Sequence, residues 1–204
     1  MLKVEYFGHF CFKVRGKRSS VVIDPFSEKV SGLSLPERKG DLVLVTKDDP
    51  AHNNVQAVHD FKYVATGPGE YEVEGIHVLA GTLNGATFYQ FIIDGVSFMH
   101  LGPINDVLTD EQLAEVGETS VLFVPVGGVE TIEPEKAAEV VAQIEPGIVI
   151  PMNYKMDYDG LRDLAAVEKF IEEMGEELDR REELKLRSNV TLDEDTEVVV
   201  LELA

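Results

Sequence analysis

At the beginning of the chain, hydrophobic and polar positions alternate over short distances, which is the pattern of β-strands. Strand character extends from Val4 to Phe7 and from Phe10 to Val14, and a third segment, Val21 to Ile23, is wholly apolar. The third segment ends at Asp24 and Pro25. Because short turns separate these segments, the pattern predicts a β-meander with antiparallel pairing.

The next apolar strand, Leu42 to Val45, leads into a polar loop that contains one histidine, His52. Polar loops that follow a buried strand often carry the chemistry of α/β proteins. The sequence predicts a short helix from Asn53 to Phe61 and a loop from Val30 to Gly40. Further strands are predicted at Tyr63 to Ala65, Tyr71 to Val73, Ile76 to Ala80, Thr87 to Ile93 and Val96 to His100.

After His100, strands alternate with helices. The spacing of Thr109 and Gln112 is that of a capping box and predicts the start of a short helix. Pro134 fits the first turn of a second helix, and a third amphipathic helix is predicted to end near Gly175. Buried strands are predicted at Ser120 to Val126, Ile148 to Ile150 and Glu197 to Leu201.

Two β-rich halves with helices outside them predict a four-layer αββα sandwich, in the α/β (α+β) class. No repeat and no linker divides the sequence, so residues 1–204 are expected to form a single domain.

The charge balance narrows the possible partners. The chain has 38 acidic and 18 basic residues and a net charge of −20, which repels phosphate backbones and anionic lipids. We therefore expect no nucleic-acid partner and no membrane partner. The single cysteine, Cys11, cannot form an intrachain disulfide, and the N-terminus has no apolar signal segment. These features predict a cytoplasmic protein.

Several short motifs occur in a characteristic order along nearly the whole chain. They are Gly8-His9-Phe10-Cys11-Phe12, Ile23-Asp24-Pro25, Val45-Thr46 with a loop reaching His52, Gly67-Pro68-Gly69-Glu70-Tyr71-Glu72, His100-Leu101-Gly102, Val124-Pro125-Val126-Gly127-Gly128 and Ile150-Pro151-Met152-Asn153-Tyr154-Lys155. In this order the motifs resemble the metallo-β-lactamase superfamily. The branch they resemble is that of compact zinc-dependent hydrolases related to the ascorbate-6-phosphate lactonase type.

The resemblance implies a two-metal site in the loop after Thr46, where the family has the pattern His-x-His-x-Asp-His. The corresponding residues run from Lys47 to His52, and only His52 matches. Lys47 would place an ammonium group where a cation should bind, and Ala51 has no donor atom. Asp49 is a candidate substitute ligand. Because ammonium can replace a metal beside a carboxylate, we expect an ion pair between Lys47 and Asp49.

Two further ligand positions implied by the resemblance also differ. The bridging aspartate is replaced by Pro103 and the terminal histidine by Asn153. The former metal-site positions are thus Lys47, Asp49, Ala51, His52, Pro103 and Asn153. One histidine with one carboxylate cannot hold zinc tightly, so no cofactor is expected, with zinc bound weakly by His52 and Asp49 as the alternative.

Other polar residues form a candidate pocket beside this loop, namely His9, Asp24, His100, Asp106 and Lys155. One interpretation is that His9 and Asp24 form a hydrogen-bonded pair that supports strand ends. Another is a residual anion-binding pocket shared with Lys47, Asn153 and Lys155. His100 ends a strand and has the pattern of a satisfied core histidine.

The sequence supports two hypotheses about function. The first is a degenerate, non-catalytic member that binds a small molecule or a protein. The alternative is a metal-dependent hydrolase, of phosphodiester or lactone type, with a site rebuilt around Asp49 and His52 and neighbours such as His9, His100 or Asp106. The family habit favours a homo-oligomer. Whether the protein is an enzyme stays open at this point, because a fold does not establish an activity.

Overall fold

The computed structural model describes residues 1–35, 38–83, 85–156, 163–187 and 196–204. The strands in these residues are β1 (Leu2–Gly8), β2 (Cys11–Arg15), β3 (Ser20–Ile23), β4 (Arg38–Lys39), β5 (Leu42–Leu44), β6 (Val58–His59), β7 (Tyr63–Ala65), β8 (Gly69–Val73), β9 (Ile76–Leu83), β10 (Ala86–Ile93), β11 (Val96–His100), β12 (Val121–Pro125), β13 (Ile148–Met152), β14 (Arg180–Arg181), β15 (Leu184–Leu186), β16 (Glu197–Val198) and β17 (Val200–Leu201). The helices are α1 (Glu28–Ser31), α2 (Asp110–Leu113), α3 (Pro134–Ile144) and α4 (Val167–Met174), with a 3-10 helix at Val55–Ala57.

Two large sheets form the centre of the molecule. The first has the strand order β15-β1-β2-β3-β5-β7 and the second β16-β13-β12-β11-β10-β9-β8. The predicted meander is confirmed, because β1, β2 and β3 pair antiparallel. The direction changes afterwards, since β3, β5 and β7 are parallel, and β11, β12 and β13 are parallel in the second sheet. The carboxyl ends of several strands therefore meet at one edge of each sheet.

The core lies between the two sheets and is rich in aromatic rings. Phe12 of the first sheet packs against Phe123 of the second, with 4.4 Å between the ring centroids. Every residue of β12 and β13 is buried, which requires cover on both faces of the second sheet. This cover comes from α3 and α4, which contact each other and contribute Val140 and Phe170 to the same core. The architecture is the predicted αββα sandwich.

The predicted helices of the second half are present, and their ends follow from local sequence. Pro134 occupies the first turn of α3, and Gly175 ends α4 with a φ of 69°. The capping box of α2 is also confirmed, because the Thr109 side chain accepts from the Gln112 amide. At 11 residues α3 is the longest helix of the described ranges, and no helix there is long and apolar enough to span a bilayer.

The predicted helix from Asn53 to Phe61 is wrong. This segment contains only the 3-10 helix Val55–Ala57, followed by β6, which pairs with β4. Its residues Val55 and Val58 pack against the outer face of the first sheet, beside Val22 and Val43. The apolar spacing of the segment thus serves a short covering ribbon instead of a helix. The segment from Val30 to Gly40, predicted as a loop, contains the end of α1 and β4 in its described residues.

Candidate functional site

The candidate site lies at the carboxyl ends of β3, β5, β11 and β13, and its central residue is Asp24. Asp24 is fully buried and has a positive φ of 45°. Its Oδ1 accepts a hydrogen bond from the Thr46 amide at 2.8 Å, and its Oδ2 accepts from the Thr46 hydroxyl at 2.5 Å. His52 Nδ1 lies 2.9 Å from the same Oδ2. The carboxylate therefore ties the end of β3 to the loop that follows β5.

This network fixes the orientation of His52. A carboxylate can only accept, so the Nδ1 of His52 carries a hydrogen, and in the neutral ring the Nε2 then presents a lone pair. The ring is buried and packs against Phe10 at a centroid distance of 4.6 Å. The His52 amide also donates to the Asp49 carbonyl at 2.9 Å, which closes the loop. A histidine held by a carboxylate through one nitrogen is the usual arrangement of a metal ligand.

A second group of buried polar residues comes from the turn after β1 and the end of β13. The backbone N–H of Asn153 donates to the His9 carbonyl at 2.9 Å. Both residues have a positive φ, which is 53° for Asn153 and 52° for His9. Asn153 is 2% exposed, and its Oδ1 has no hydrogen-bond partner among the described residues. A buried amide oxygen without a partner is costly, and an ion or a water that binds to it is one physical explanation for such a group.

Gly127 fixes the position of Asn153. A Cβ atom at Gly127 would lie 1.9 Å from the Asn153 carbonyl oxygen, so only glycine allows the two strands to come this close. The close approach of the Asn153 carbonyl therefore explains why the motif Val126-Gly127-Gly128 has glycine at position 127.

Both ring nitrogens of His100 form hydrogen bonds with backbone groups, so neither is left for a ligand. It is fully buried, its Nε2 lies 3.0 Å from the Phe10 carbonyl, and the Gly102 amide donates to its Nδ1 at 3.2 Å. Burial lowers the pKa of His100, although the Asp24 carboxylate and the Phe10 carbonyl oppose this effect. The Nε2 donates to Phe10 and the Nδ1 accepts from Gly102, so a neutral His100 links the turn before β2 to the end of β11.

The predicted ion pair between Lys47 and Asp49 is present, with 3.2 Å between Nζ and Oδ2. Its Lys47 side chain is 51% exposed. Burial acts to raise the pKa of Asp49, but the Ala51 amide, His52 and the Lys47 ammonium together lower it. Because Asp49 Oδ1 accepts from the Ala51 amide at 2.8 Å, this carboxylate mainly shapes the turn.

The remaining candidate site residues form no side-chain hydrogen bond with Asp24, Thr46 or His52 in the described part of the chain. Asp106 is an exposed residue whose carboxylate pairs with Lys136 of α3 at 2.6 Å, and Lys155 is exposed. Pro103 and Ala51 have no side-chain donor atoms. The sequence predicts Asp106 and Lys155 as pocket residues, whereas the structure places both at the surface, where Asp106 pairs with α3.

The structure adds two residues that the sequence did not identify as parts of the site. Thr46 donates twice to Asp24, and the Tyr89 hydroxyl lies 2.9 Å from the Val45 carbonyl and 3.0 Å from the Ala65 carbonyl. Tyr89 thus anchors the end of β5 from the second sheet. Thr46 belongs to one of the sequence motifs, but nothing in the spacing indicates that its hydroxyl points at a residue 22 positions earlier.

The ligand set of a two-metal hydrolase does not fit this edge. No three histidine, cysteine, aspartate or glutamate side chains converge within the described ranges. His52 presents an oriented nitrogen and Asn153 a buried oxygen, and the Asn153 backbone amide donates to the carbonyl of the buried His9, so these three residues are the candidate donors for a single ion. Three protein donors plus a water is the number found at catalytic zinc.

The fold and this edge define a protein of the metallo-β-lactamase class. The model of the Beta-lactamase superfamily domain matches residues 3–153, and the chain therefore belongs to that family. It is 30% identical to a UPF0173 metal-dependent hydrolase of Pyrococcus furiosus, over 76% of this chain and 85% of that protein. It is 28% identical to another of Thermoplasma acidophilum, over 75% of this chain and 83% of that protein.

A solved structure gives the same result. A protein of Thermotoga maritima, described as a Zn-dependent hydrolase of the metallo-β-lactamase superfamily, is 31% identical, with a TM-score of 0.84 and full coverage of both chains. The expectation that no cofactor binds is contradicted by these relatives. They are named metal-dependent or Zn-dependent hydrolases, which indicates a metal, zinc, as the family cofactor.

Proposed function

We propose that the protein is a metal-dependent hydrolase with a rebuilt, single-metal site that acts on phosphodiesters or lactones. The observation that carries this proposal is the hydrogen bond from His52 Nδ1 to Asp24, which directs the opposite nitrogen of a buried histidine outward from the network. The relatives' names support the metal dependence.

Three residues of the chain would hold the ion: His52 through Nε2, Asn153 through Oδ1, and His9 through its imidazole. A bound divalent ion supplies a Lewis acid that polarises a carbonyl or phosphoryl oxygen and acidifies a water. Asp24 fixes the tautomer of His52, and Thr46 holds Asp24 with two hydrogen bonds. Lys47, at the exposed rim of the same loop, offers an ammonium group for an anionic substrate.

Metal binding by variants at two positions tests the site directly. Protein purified without chelator should contain close to one equivalent of zinc by elemental analysis. His52→Ala should lose it, Asn153→Gly should weaken zinc binding in equilibrium dialysis, and Asn153→Asp should strengthen it, because a charged oxygen replaces a neutral one. Gly and Asp both tolerate the positive φ of this position. His77→Ala is the matched control, since His77 is exposed.

Turnover provides the second measurement. The zinc-loaded protein should hydrolyse bis(p-nitrophenyl) phosphate or a simple aliphatic lactone, and a chelator should stop this reaction. Protein that holds zinc through neither His52 nor Asn153 would refute the proposed site.

A second candidate function is a binding module for a small molecule or a protein. The observation that favours it is the Lys47–Asp49 ion pair, which lies at two positions where the family has histidine ligands. Zinc bound through His52 without turnover of either substrate would favour this candidate over the hydrolase.

A further inference from the structure

The second sheet ends in an open edge strand, β8, which is five strands away from β13, the strand that precedes Asn153. Among the described residues, β8 is the last strand of this sheet, and it pairs only with β9. Open edges present unpaired backbone groups that accept a further strand. Beside β8, a groove of about 1050 Å³ runs over the outward face of β8 to β11.

The hairpin geometry shows which backbone groups face the open edge. β8 and β9 are joined by the two-residue turn Glu74-Gly75, with φ values of 50° and 76°, as in a type I′ turn. The residues that flank such a turn, Val73 and Ile76, exchange both hydrogen bonds. Since bonding alternates along an antiparallel pair, Glu70 and Glu72 direct their N–H and C=O groups to the open edge.

The same two residues also contribute negative charge to the groove. The Glu70 and Glu72 side chains are exposed on the outward face and line the groove together with Glu118, and no lysine or arginine is found among the described residues that line it. Across the sheet, Glu70 lies opposite Leu79, which is 40% exposed, and Ile92 is 45% exposed. The surface is therefore an acidic edge beside an aliphatic floor.

We propose that β8 is a docking edge for an extended segment of a partner protein in which lysine or arginine alternates with aliphatic residues. Added as a strand, such a segment would pair its backbone with Glu70 and Glu72. Its outward cationic side chains would lie beside the two glutamates, as favourable cross-strand neighbours. The acidic edge argues against a second copy of this chain, because β8 paired with β8 would place glutamates together on two chains of net charge −20.

Synthetic peptides test this proposal with the full chain. The probe is acetyl-Lys-Val-Lys-Val-Lys-Val-amide, compared with its Glu-Val counterpart and with two forms that are N-methylated at alternate residues, one for each strand edge. Binding is followed by backbone amide shifts and by hydrogen exchange. We expect the Lys-Val peptide to bind and to slow exchange of the Glu70 and Glu72 amides. One N-methylated form should bind at least about tenfold more weakly, because it loses the hydrogen bonds to β8.

Charge reversal on the edge supplies the matched comparison. The double variant Glu70→Lys, Glu72→Lys should prefer the Glu-Val peptide, whereas Glu111→Lys, an exposed change on α2, should keep the original preference. The proposal is overturned if the Lys-Val peptide does not bind at millimolar concentration. Equal binding of both N-methylated forms would also overturn it, since the groove would then be only an electrostatic patch. The proposal is also overturned if the unmodified protein forms a dimer and the double variant does not, because β8 would then pair with a second copy of this chain.

Discussion

Two pairs of polar side chains hold the loop after β5, one through the buried His52 and one through the exposed Lys47, and they differ in almost every physical respect. The pair of Asp24 and His52 has a separation of 2.9 Å and side-chain exposures of 0% and 4%. The pair of Lys47 and Asp49 has a separation of 3.2 Å and exposures of 51% and 31%. Solvent screens the second pair, and the first is held inside the protein.

The difference shows that the residues most noticeable in the loop are not those that organise it. Lys47, Asp48 and Asp49 give the loop its charge, yet Asp24, from the preceding parallel strand, holds the loop in place through Thr46 and His52. The following predictions test this contrast, from the largest expected effect to the smallest.

The largest effect is expected for Asp24→Asn. Asparagine tolerates the positive φ of this position, so the substitution changes the charge and replaces one accepting oxygen with a donating amide. At least one of the donors from Thr46 and His52 is then left buried without an acceptor. The free energy of unfolding should fall by roughly 3 kcal/mol in urea denaturation. Asp106→Asn, on the surface, should leave it unchanged within error, and equal losses would contradict the contrast.

A somewhat smaller loss is expected for Gly127→Ala, on the other side of the site. The new methyl group would meet the Asn153 carbonyl at 1.9 Å, and backbone atoms must move to admit it. Overpacking of this kind costs about 1–3 kcal/mol in unfolding free energy. Gly67→Ala is the control, because a methyl group there would meet no atom of the described residues within 4 Å beyond its chain neighbours. Similar thermal stabilities of the two variants would show that Asn153 is not rigidly placed.

Acid should destabilise the protein through His100, a further buried histidine. Burial lowers the pKa of His100 below its usual value of 6.5, so below pH 6.5 the unfolded chain binds this proton more readily than the folded protein. Stability from His100 is therefore fully present above 6.5 and decreases as the pH falls toward the folded pKa. Urea denaturation at a series of pH values should show this decrease, and His100→Gln should flatten it. An unchanged slope in the variant would assign the effect to other groups.

The smallest effect is expected for Lys47→Ala. An exposed ion pair contributes about 0–1 kcal/mol, and salt should weaken it further. The thermal midpoint should therefore move little, and less at high ionic strength. A loss as large as that of Asp24→Asn would mean that the surface pair, and not the buried one, holds the loop.

Much of the fold could be predicted from periodicity alone. Alternating and wholly apolar segments marked the strands from β1 to β13 except β4 and β6, and Pro134 and Gly175 marked helix ends, because these signals are local. The segment 53–61 failed because its apolar residues cover a sheet face, and that contact depends on Val22 and Val43, far away in sequence.

The contacts of the candidate site could be predicted from the sequence only in small part. Matching ligand positions to the family pattern drew attention to His52 and Asn153, but it could not show that Asp24 bonds to His52 or that the Asn153 oxygen lies buried without a partner among the described residues. Both facts depend on long-range packing. No local pattern indicates that His9, Asp24 and Asn153 share a left-handed backbone.

That backbone conformation limits which residues can be exchanged at position 153. At a φ of 53°, few side chains other than glycine are accommodated without strain, and asparagine, aspartate and histidine are the most tolerant of them. Asparagine and the histidine of the family pattern therefore belong to the same small set of interchangeable residues. A lineage could move between them in either direction by substitution alone, gaining or losing an imidazole ligand while the strand end keeps its shape.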